Sequence, residues 1–187
     1  KILGAVGNIE SGKDTIVKYF SNKCSIPIIS IGDIAREIAK NDGIPATRQN
    51  LQRITEEYYE KFGRTYFIEE TIRKIRPANY DRILITGIRA PTDITTLRKH
   101  FHHDLSSYVS QLVKEKGFKD TDKGETRNPK TWQEFLEQDR DKEKIFQLTK
   151  ACRLADHRIS NNGTVEELFQ NLEKIIKELA ISSAVKQ

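Results

Sequence analysis

Apolar residues along this chain fall into short continuous runs that alternate with stretches where they recur every third or fourth position. The first run, Ile2-Leu3-Gly4-Ala5-Val6, leads through Gly7 into a helical pattern over 15–20. Residues 25–31 read as a second, short buried strand, and Ile34 with Ile38, and Ala35 with Ala39, then repeat at helical spacing. Thr47 is placed to cap a long helix over 48–62 with Leu51, Ile54 and Tyr58 on one stripe, ended by Gly63. A further helix over 66–75 stops at Arg76-Pro77. Residues 82–86 are continuously apolar, as a buried parallel strand should be, and Pro91 opens the next helix, 93–101. Residues 105–109 make a poor strand, whereas 155–160 read as a last edge strand. Two capping boxes, Thr131 with Glu134 and Thr164 with Glu167, start the final helices. The first of these helices is expected to run from 132 past 140 toward 154. The second carries Leu168, Leu172, Ile175, Ile176 and Leu179 on one face.

This alternation predicts an α/β protein built on one domain, 1–187, a length that suits a single sizeable core. The two helices within about 41–77 exceed what a minimal crossover needs and are expected to form an insert over the sheet edge, able to close on a second substrate. Residues 114–130 are rich in Lys, Gly, Asp and Thr and nearly free of apolar side chains, the composition of a basic lid.

The chain is 36% hydrophobic and 32% charged, with a net charge of +5 and both signs spread throughout. That excess serves anionic small molecules as readily as nucleic acid, and no dense basic tract favours the latter. Cys24 and Cys152 stand far apart, so buried, reduced thiols are expected instead of a disulfide framework or a zinc site. No run approaches membrane-spanning length, and the N-terminal apolar run ends in a glycine loop instead of a cleavage site, so the cytoplasm is the expected compartment. Oligomeric state is not readable from these features. The chain contains no Met, and a missing segment is expected near the weak strand 105–109. His100, His102, His103 and Asp104 cluster, but without a matching ligand set a solvated helix end is the better reading.

The chemistry concentrates in Gly7-Asn8-Ile9-Glu10-Ser11-Gly12-Lys13-Asp14-Thr15. Lying between a strand and a helix, this G-x-x-x-x-G-K run reads as a phosphate-binding loop; a turn that binds nothing is the alternative. Gly7 lets the chain turn off the strand, and Gly12 lets backbone amides close on a phosphate. The helix that follows aims its free N–H groups and positive dipole end at that anion. Lys13 supplies a point charge for the β and γ oxygens of a nucleoside triphosphate. Asp14 stands where a hydroxyl usually meets magnesium and can hold the metal itself, while Thr15 offers a hydroxyl to phosphate. Asp33 reads either as an N-cap or as a group facing substrate at a strand's carboxyl end, with Arg36 one turn on. Arg89, leaving the third strand, is expected beside the phosphate loop. Arg127 lies near the end of the basic segment. Arg140 can reach phosphates or pair with Asp139 and Asp141 on the surface.

Taken in order, residues 7–15, Ile31-Gly32-Asp33-Ile34-Ala35-Arg36, Thr86-Gly87-Ile88-Arg89, and Ala155-Asp156 with Asn161-Asn162-Gly163-Thr164 resemble P-loop nucleoside-monophosphate kinases. The resemblance is to the adenylate-kinase-like branch that contains dephospho-CoA kinases, and it spans nearly the whole chain. It implies a three-layer α/β/α P-loop fold with a mostly parallel sheet, ATP and Mg2+ as cofactors, and a small phosphorylated acceptor. It also implies that Asp33 serves the acceptor hydroxyl, that Arg36 and Arg89 contact acceptor or transferred phosphate, that Arg127 and Arg140 act from the lid, and that Asn161, Asn162 and Gly163 contact adenine. Thr86 departs from the family by replacing an acid before Gly-x-Arg, a substitution that Asp14 is placed to offset. Two rivals remain: a nucleotide-binding module without turnover, and a GTPase-type switch, against which the absence of an Asn/Thr-Lys-x-Asp signature counts.

Overall fold

In the computed structural model, residues 2–7, 12–78, 80–101, 105–111, 131–160 and 163–178 are described. The loop residues 8–11, the basic segment 112–130 with Arg127, the group His102, His103 and Asp104, and the pair Asn161 and Asn162 lie outside them. Five strands form one sheet in the order β2-β3-β1-β4-β5: β1 Ile2–Gly7, β2 Ile28–Ser30, β3 Ile83–Ile88, β4 Leu105–Gln111 and β5 His157–Ser160. Every pairing is parallel, so all carboxyl ends emerge on one edge.

The β1 side chains show why helices cover both sides. Ile2 and Val6 enter one core with Ile83, Ile85 and Ile88, while Leu3 and Ala5 enter another with Leu84. The second core is closed by α1 (Lys13–Cys24) and α8 (Val165–Glu178) through Ile16, Val17, Phe20, Leu168, Leu172 and Ile176. The first is closed by α2 (Gly32–Asn41), α4 (Tyr66–Ile75), α5 (Pro91–Phe101) and α7 (Leu148–Arg153). The three-layer expectation therefore holds. Burying one such aliphatic side chain contributes about 1.5–3 kcal/mol, so two cores rather than any single contact hold the layers.

Several expectations change. β2 is an edge strand of three residues with Ile28 42% exposed, not a buried strand, because its outer side has no partner strand. The weak run at 105–109 is a full strand, β4, paired without interruption from Ile2↔Leu105 to Gly7↔Ser110. Its place between β1 and β5 supplies the hydrogen bonds that its local propensity did not announce. Within the insert, α3 (Arg48–Phe62) has Ile54 as its one fully buried residue, with Leu51, Tyr58 and Tyr59 partly buried against the first core, whereas α4 packs Phe67, Ile68, Ile72 and Ile75 into it. The single helix expected from 132 toward 154 is two, α6 (Trp132–Phe146) and α7, because Gln147 takes a left-handed conformation with φ 54°. All three expected caps are made: Asn50 N–H donates to Thr47 Oγ1 at 3.3 Å, Glu134 N–H to Thr131 Oγ1 at 3.1 Å, and Thr164 N–H to Glu167 Oε2 at 3.1 Å.

Candidate functional site

The parallel sheet decides where chemistry can gather. β1 lies between β3 and β4; its connection runs toward β2 on one side while that of β4 runs to β5 on the other, and the crevice above such a carboxyl end is where open α/β sheets bind ligands. Gly7 ends β1 there, and Gly12, at φ 77° and ψ 10°, leads directly into α1. Among the described residues no side chain caps the start of α1. Its first amides therefore lie at this end of the sheet, with Asp14 and Thr15 exposed in the first turn.

β3 brings Arg89 to the same edge by a specific distortion. Gly4 pairs Ile85 and Val6 pairs Ile88, so β3 carries one residue more than β1 across this step. The extra residue falls at Thr86-Gly87, where Gly87 adopts φ 79°, and a Cβ there would lie 3.4 Å from the Gly32 backbone nitrogen. Such bulges turn a strand and re-aim the side chains beyond it. The bulge also explains why Ile85 and Ile88, three apart, share one core. Ile31 N–H donates to the Thr86 carbonyl at 2.9 Å, fastening the start of α2 against β3.

That fastening brings Asp33 and Arg36 to the crevice. Asp33 is not the N-cap: α2 begins at Gly32 after Ile31, and the Asp33 carboxylate instead accepts from Arg36 Nη1 at 2.6 Å. Both partners are exposed, so this ion pair contributes about 0–1 kcal/mol. Arg89 is fixed differently. The N–H groups of Arg89 and Ala90 both donate to Asp93 Oδ2 at 2.9 Å, and Asp93 is only 3% exposed. Burial pushes the Asp93 carboxyl up, while those two backbone donors and the Arg89 charge oppose the rise. The Arg89 guanidinium lies over the Phe146 ring, 5.4 Å from its centroid. Its side chain keeps solvent exposure yet is surrounded by protein groups, and that crowding lowers its pKa. The Arg36 charge pushes in the same direction, against the pull of Tyr59 and Asp93.

Two residues of this site carried no signal in the sequence reading. Arg48 opens α3, half-buried, with its pKa lowered first by burial and then by the Arg89 charge. It adds a third arginine to Arg36 and Arg89. Its position directly after the Thr47 cap of the insert helix was the available clue. Asp93, which ends the pattern Arg89-Ala90-Pro91-Thr92-Asp93, was legible only as a helix residue.

Two further expected residues, Arg140 on α6 and Gly163 just before α8, come from other parts of the chain. Arg140 is exposed on α6, and among the described residues no hydrogen bond or ion pair joins it to the arginine cluster. Gly163 has a local reason to be glycine: a Cβ there would lie 1.6 Å from Glu167 Oε2, displacing the carboxylate that caps α8. His100 sits between Arg76, at 2.6 Å, and Glu69, at 3.2 Å, a helix-end contact. Among the described residues no group of three potential metal-binding side chains occurs, and no helix is long and apolar enough to cross a membrane. Both thiols are pushed up by burial, in keeping with inert cysteines.

Known proteins fit this picture. No family model matches the chain. Among solved structures, TT1252 from Thermus thermophilus superposes with a TM-score of 0.64 at 15% identity, covering 95% of this chain and 97% of that one. A shikimate kinase from Bacteroides thetaiotaomicron superposes with a TM-score of 0.60 at 11% identity, covering 96% and 98%. The fold is that of P-loop kinases. In sequence, the UPF0200 protein PH1008 of Pyrococcus horikoshii is 32% identical over 184 residues, spanning 95% of this chain and 97% of the relative. The chain belongs to the UPF0200 family.

Proposed function

We propose that this protein is an ATP-dependent phosphotransferase acting on a small phosphorylated acceptor, a nucleoside monophosphate or a molecule like dephospho-CoA. The observation that supports the reading is the grouping of Asp33, Arg36, Arg48 and Arg89 beyond the carboxyl end of β3, on the sheet edge where β1 also ends. Phosphoryl transfer asks chiefly for positioning and for positive charge around the moving group. In this reading Lys13 and the amides leading into α1 hold the β and γ phosphates. Arg36 and Arg48 bind the acceptor phosphate, and Arg89 faces the transferred group. Asp33, released from Arg36 when phosphate takes its place, orients the acceptor hydroxyl and takes its proton. The acceptor oxygen forms its bond to the γ-phosphorus as the bond to the bridging oxygen breaks, and ADP leaves. Asp14, exposed in the first turn of α1, offers the hard oxygen donor that magnesium prefers; that ion, when bound, neutralises charge on the phosphates. Arg127 and Arg140 belong to the lid, and Asn162 with Gly163 to the adenine pocket.

A nucleotide-binding module without turnover is the second reading, favoured by Thr86, whose position in β3 would hold an acid in the resembling kinases. The deciding experiment is ADP release from ATP and magnesium across dephospho-CoA and the common ribo- and deoxynucleoside monophosphates. A Lys13→Ala control runs alongside. Acceptor-dependent release that disappears in the control is expected. ATP binding without release on any acceptor would favour the module, and no ATP binding would overturn both.

A further inference from the structure

The way Arg89 is held points beyond that reading. Most buried or crowded arginines are fixed by carboxylates, which occupy the N–H donors they orient. Arg89 rests instead on a neutral ring, Phe146, at 5.4 Å, and among the described residues its guanidinium has no ion-pair partner within 4.0 Å. A π face attracts the cation electrostatically and leaves its donors facing outward. The ring is itself held. Phe146 is 7% exposed, and Tyr59 of α3 packs against it edge-on, centroids 6.3 Å apart at 75°. Tyr59 is held in turn by Phe67 at 5.5 Å and by the Arg64 guanidinium over its ring at 5.7 Å. Arg64 then closes the circuit by donating to the Ile145 carbonyl at 2.5 Å. That carbonyl belongs to the last turn of α6, whose end has no intrahelical donors, so Arg64 acts as a C-terminal cap from the insert.

We propose that the insert aims Arg89 through this relay, with Phe146 as the platform and Tyr59 and Arg64 as the residues that fix it. Phe146, Tyr59 and Arg64 are positioning residues, not catalytic ones. The relay links three segments far apart in sequence: the α3–α4 corner, the end of α6 and the end of β3. It resists the repulsion that Arg36 and Arg48 exert on Arg89 without spending a carboxylate that would compete with phosphate. The Tyr59 hydroxyl stays protonated because burial, followed by the Asp93 charge, pushes its pKa up; Arg89 and Arg64 only partly oppose this. The proposal rests on the reading of Arg89 as a phosphoryl contact, but its structural half does not depend on turnover.

The test uses the full chain with 15N-labelled arginine. The Arg89 guanidinium signal, assigned by its loss in Arg89→Lys, is followed in Phe146→Leu, Phe146→Tyr and the surface variant Arg64→Gln. Wild type and Phe146→Tyr should show an upfield ring-current shift that Phe146→Leu abolishes and Arg64→Gln reduces. With whichever acceptor supports ADP release, kcat should fall about tenfold to a hundredfold in Phe146→Leu, with the KM for ATP unchanged and Phe146→Tyr close to wild type. An Arg89 signal unaltered by Phe146→Leu and Arg64→Gln overturns the relay. So does equal loss of kcat in Phe146→Leu and Phe146→Tyr. If no acceptor is turned over by the wild type, the phosphotransferase reading fails while the signal shift still decides the relay.

Discussion

Each side of the sheet contains an aromatic contact tied to a cation, and the two are built for opposite ends. Between α1 and α8, Tyr19 stacks on Phe169 with centroids 4.5 Å apart, and the Tyr19 hydroxyl donates to Glu173. Lys23 completes that group by pairing with Glu173 at 3.0 Å. Every charge there has an opposite charge, and the result is a fastening between two helices. Between the insert and β3, Arg89 lies on Phe146 near Arg36 and Arg48; Asp93 holds the backbone turn, Asp33 pairs with Arg36, and the Asp141 charge favours Arg48. Burial and neighbouring arginine charge both lower the pKa of Arg48 and of Arg89. One side of the sheet pairs its charges to fasten two helices, and the other gathers three arginines, the group that the proposed function assigns to phosphate.

The strongest way to break the comparison is to damage the fastening face alone. Leu172→Ala, at a site with 0% exposure, is expected to lower unfolding free energy by about 2–5 kcal/mol in a denaturant titration. Turnover per folded molecule should stay near wild type; a large loss would mean that the two faces are not independent. Arg89→Gln is the reciprocal change. It should reduce turnover by about a hundredfold to a thousandfold, as loss of a preorganised charge does. The melting temperature should be unchanged or slightly raised, because repulsion with Arg36 and Arg48 is relieved. A marked drop in melting temperature would show Arg89 to be a structural residue.

Gly87→Ala should affect both properties. Forcing a Cβ into φ 79°, 3.4 Å from the Gly32 nitrogen, is expected to cost about 1–3 kcal/mol and to shift Arg89 and Asp33 together. Unchanged kinetics in a destabilised variant would detach the bulge from the site. The smallest effect is expected for Tyr19→Phe, about 0.5–1.5 kcal/mol at neutral pH. Burial, then the hydrogen bond and charge of Glu173, push Tyr19 from 10.0 to about 12. The fold therefore favours the protonated phenol, and its contribution is whole below pH 10.0 and lost as pH rises toward about 12. Stability curves for wild type and Tyr19→Phe should converge across that window. Curves that stay parallel would contradict the assignment.

Much of the fold was legible because it is written locally. Apolar runs marked β1 and β3, helical spacing marked α2, α3, α4 and α8, and the caps at Thr47, Thr131 and Thr164 follow from side chains reaching their own backbone. Segments whose state depends on neighbours were misread. β4 looked weak because its pairing energy comes from β1 and β5, and the break at Gln147 is not announced by a glycine or proline. Of the candidate site, Asp33, Arg36 and Arg89 could be named because they directly follow strands, and parallel strands end at one edge.

By itself, then, the sequence determined the strand–loop–helix unit around Gly7 to Thr15, the order of the layers and the presence of arginines at strand ends, since each depends on residues close in the chain. The tertiary structure alone decided that Arg48 joins Arg36 and Arg89, that Asp93 turns the backbone of Arg89, and that Arg64, Tyr59 and Phe146 hold its guanidinium. Those contacts bring together residues as far apart in the chain as Tyr59 and Phe146. Their geometry follows from how helices pack on a twisted sheet, and no local pattern encodes it.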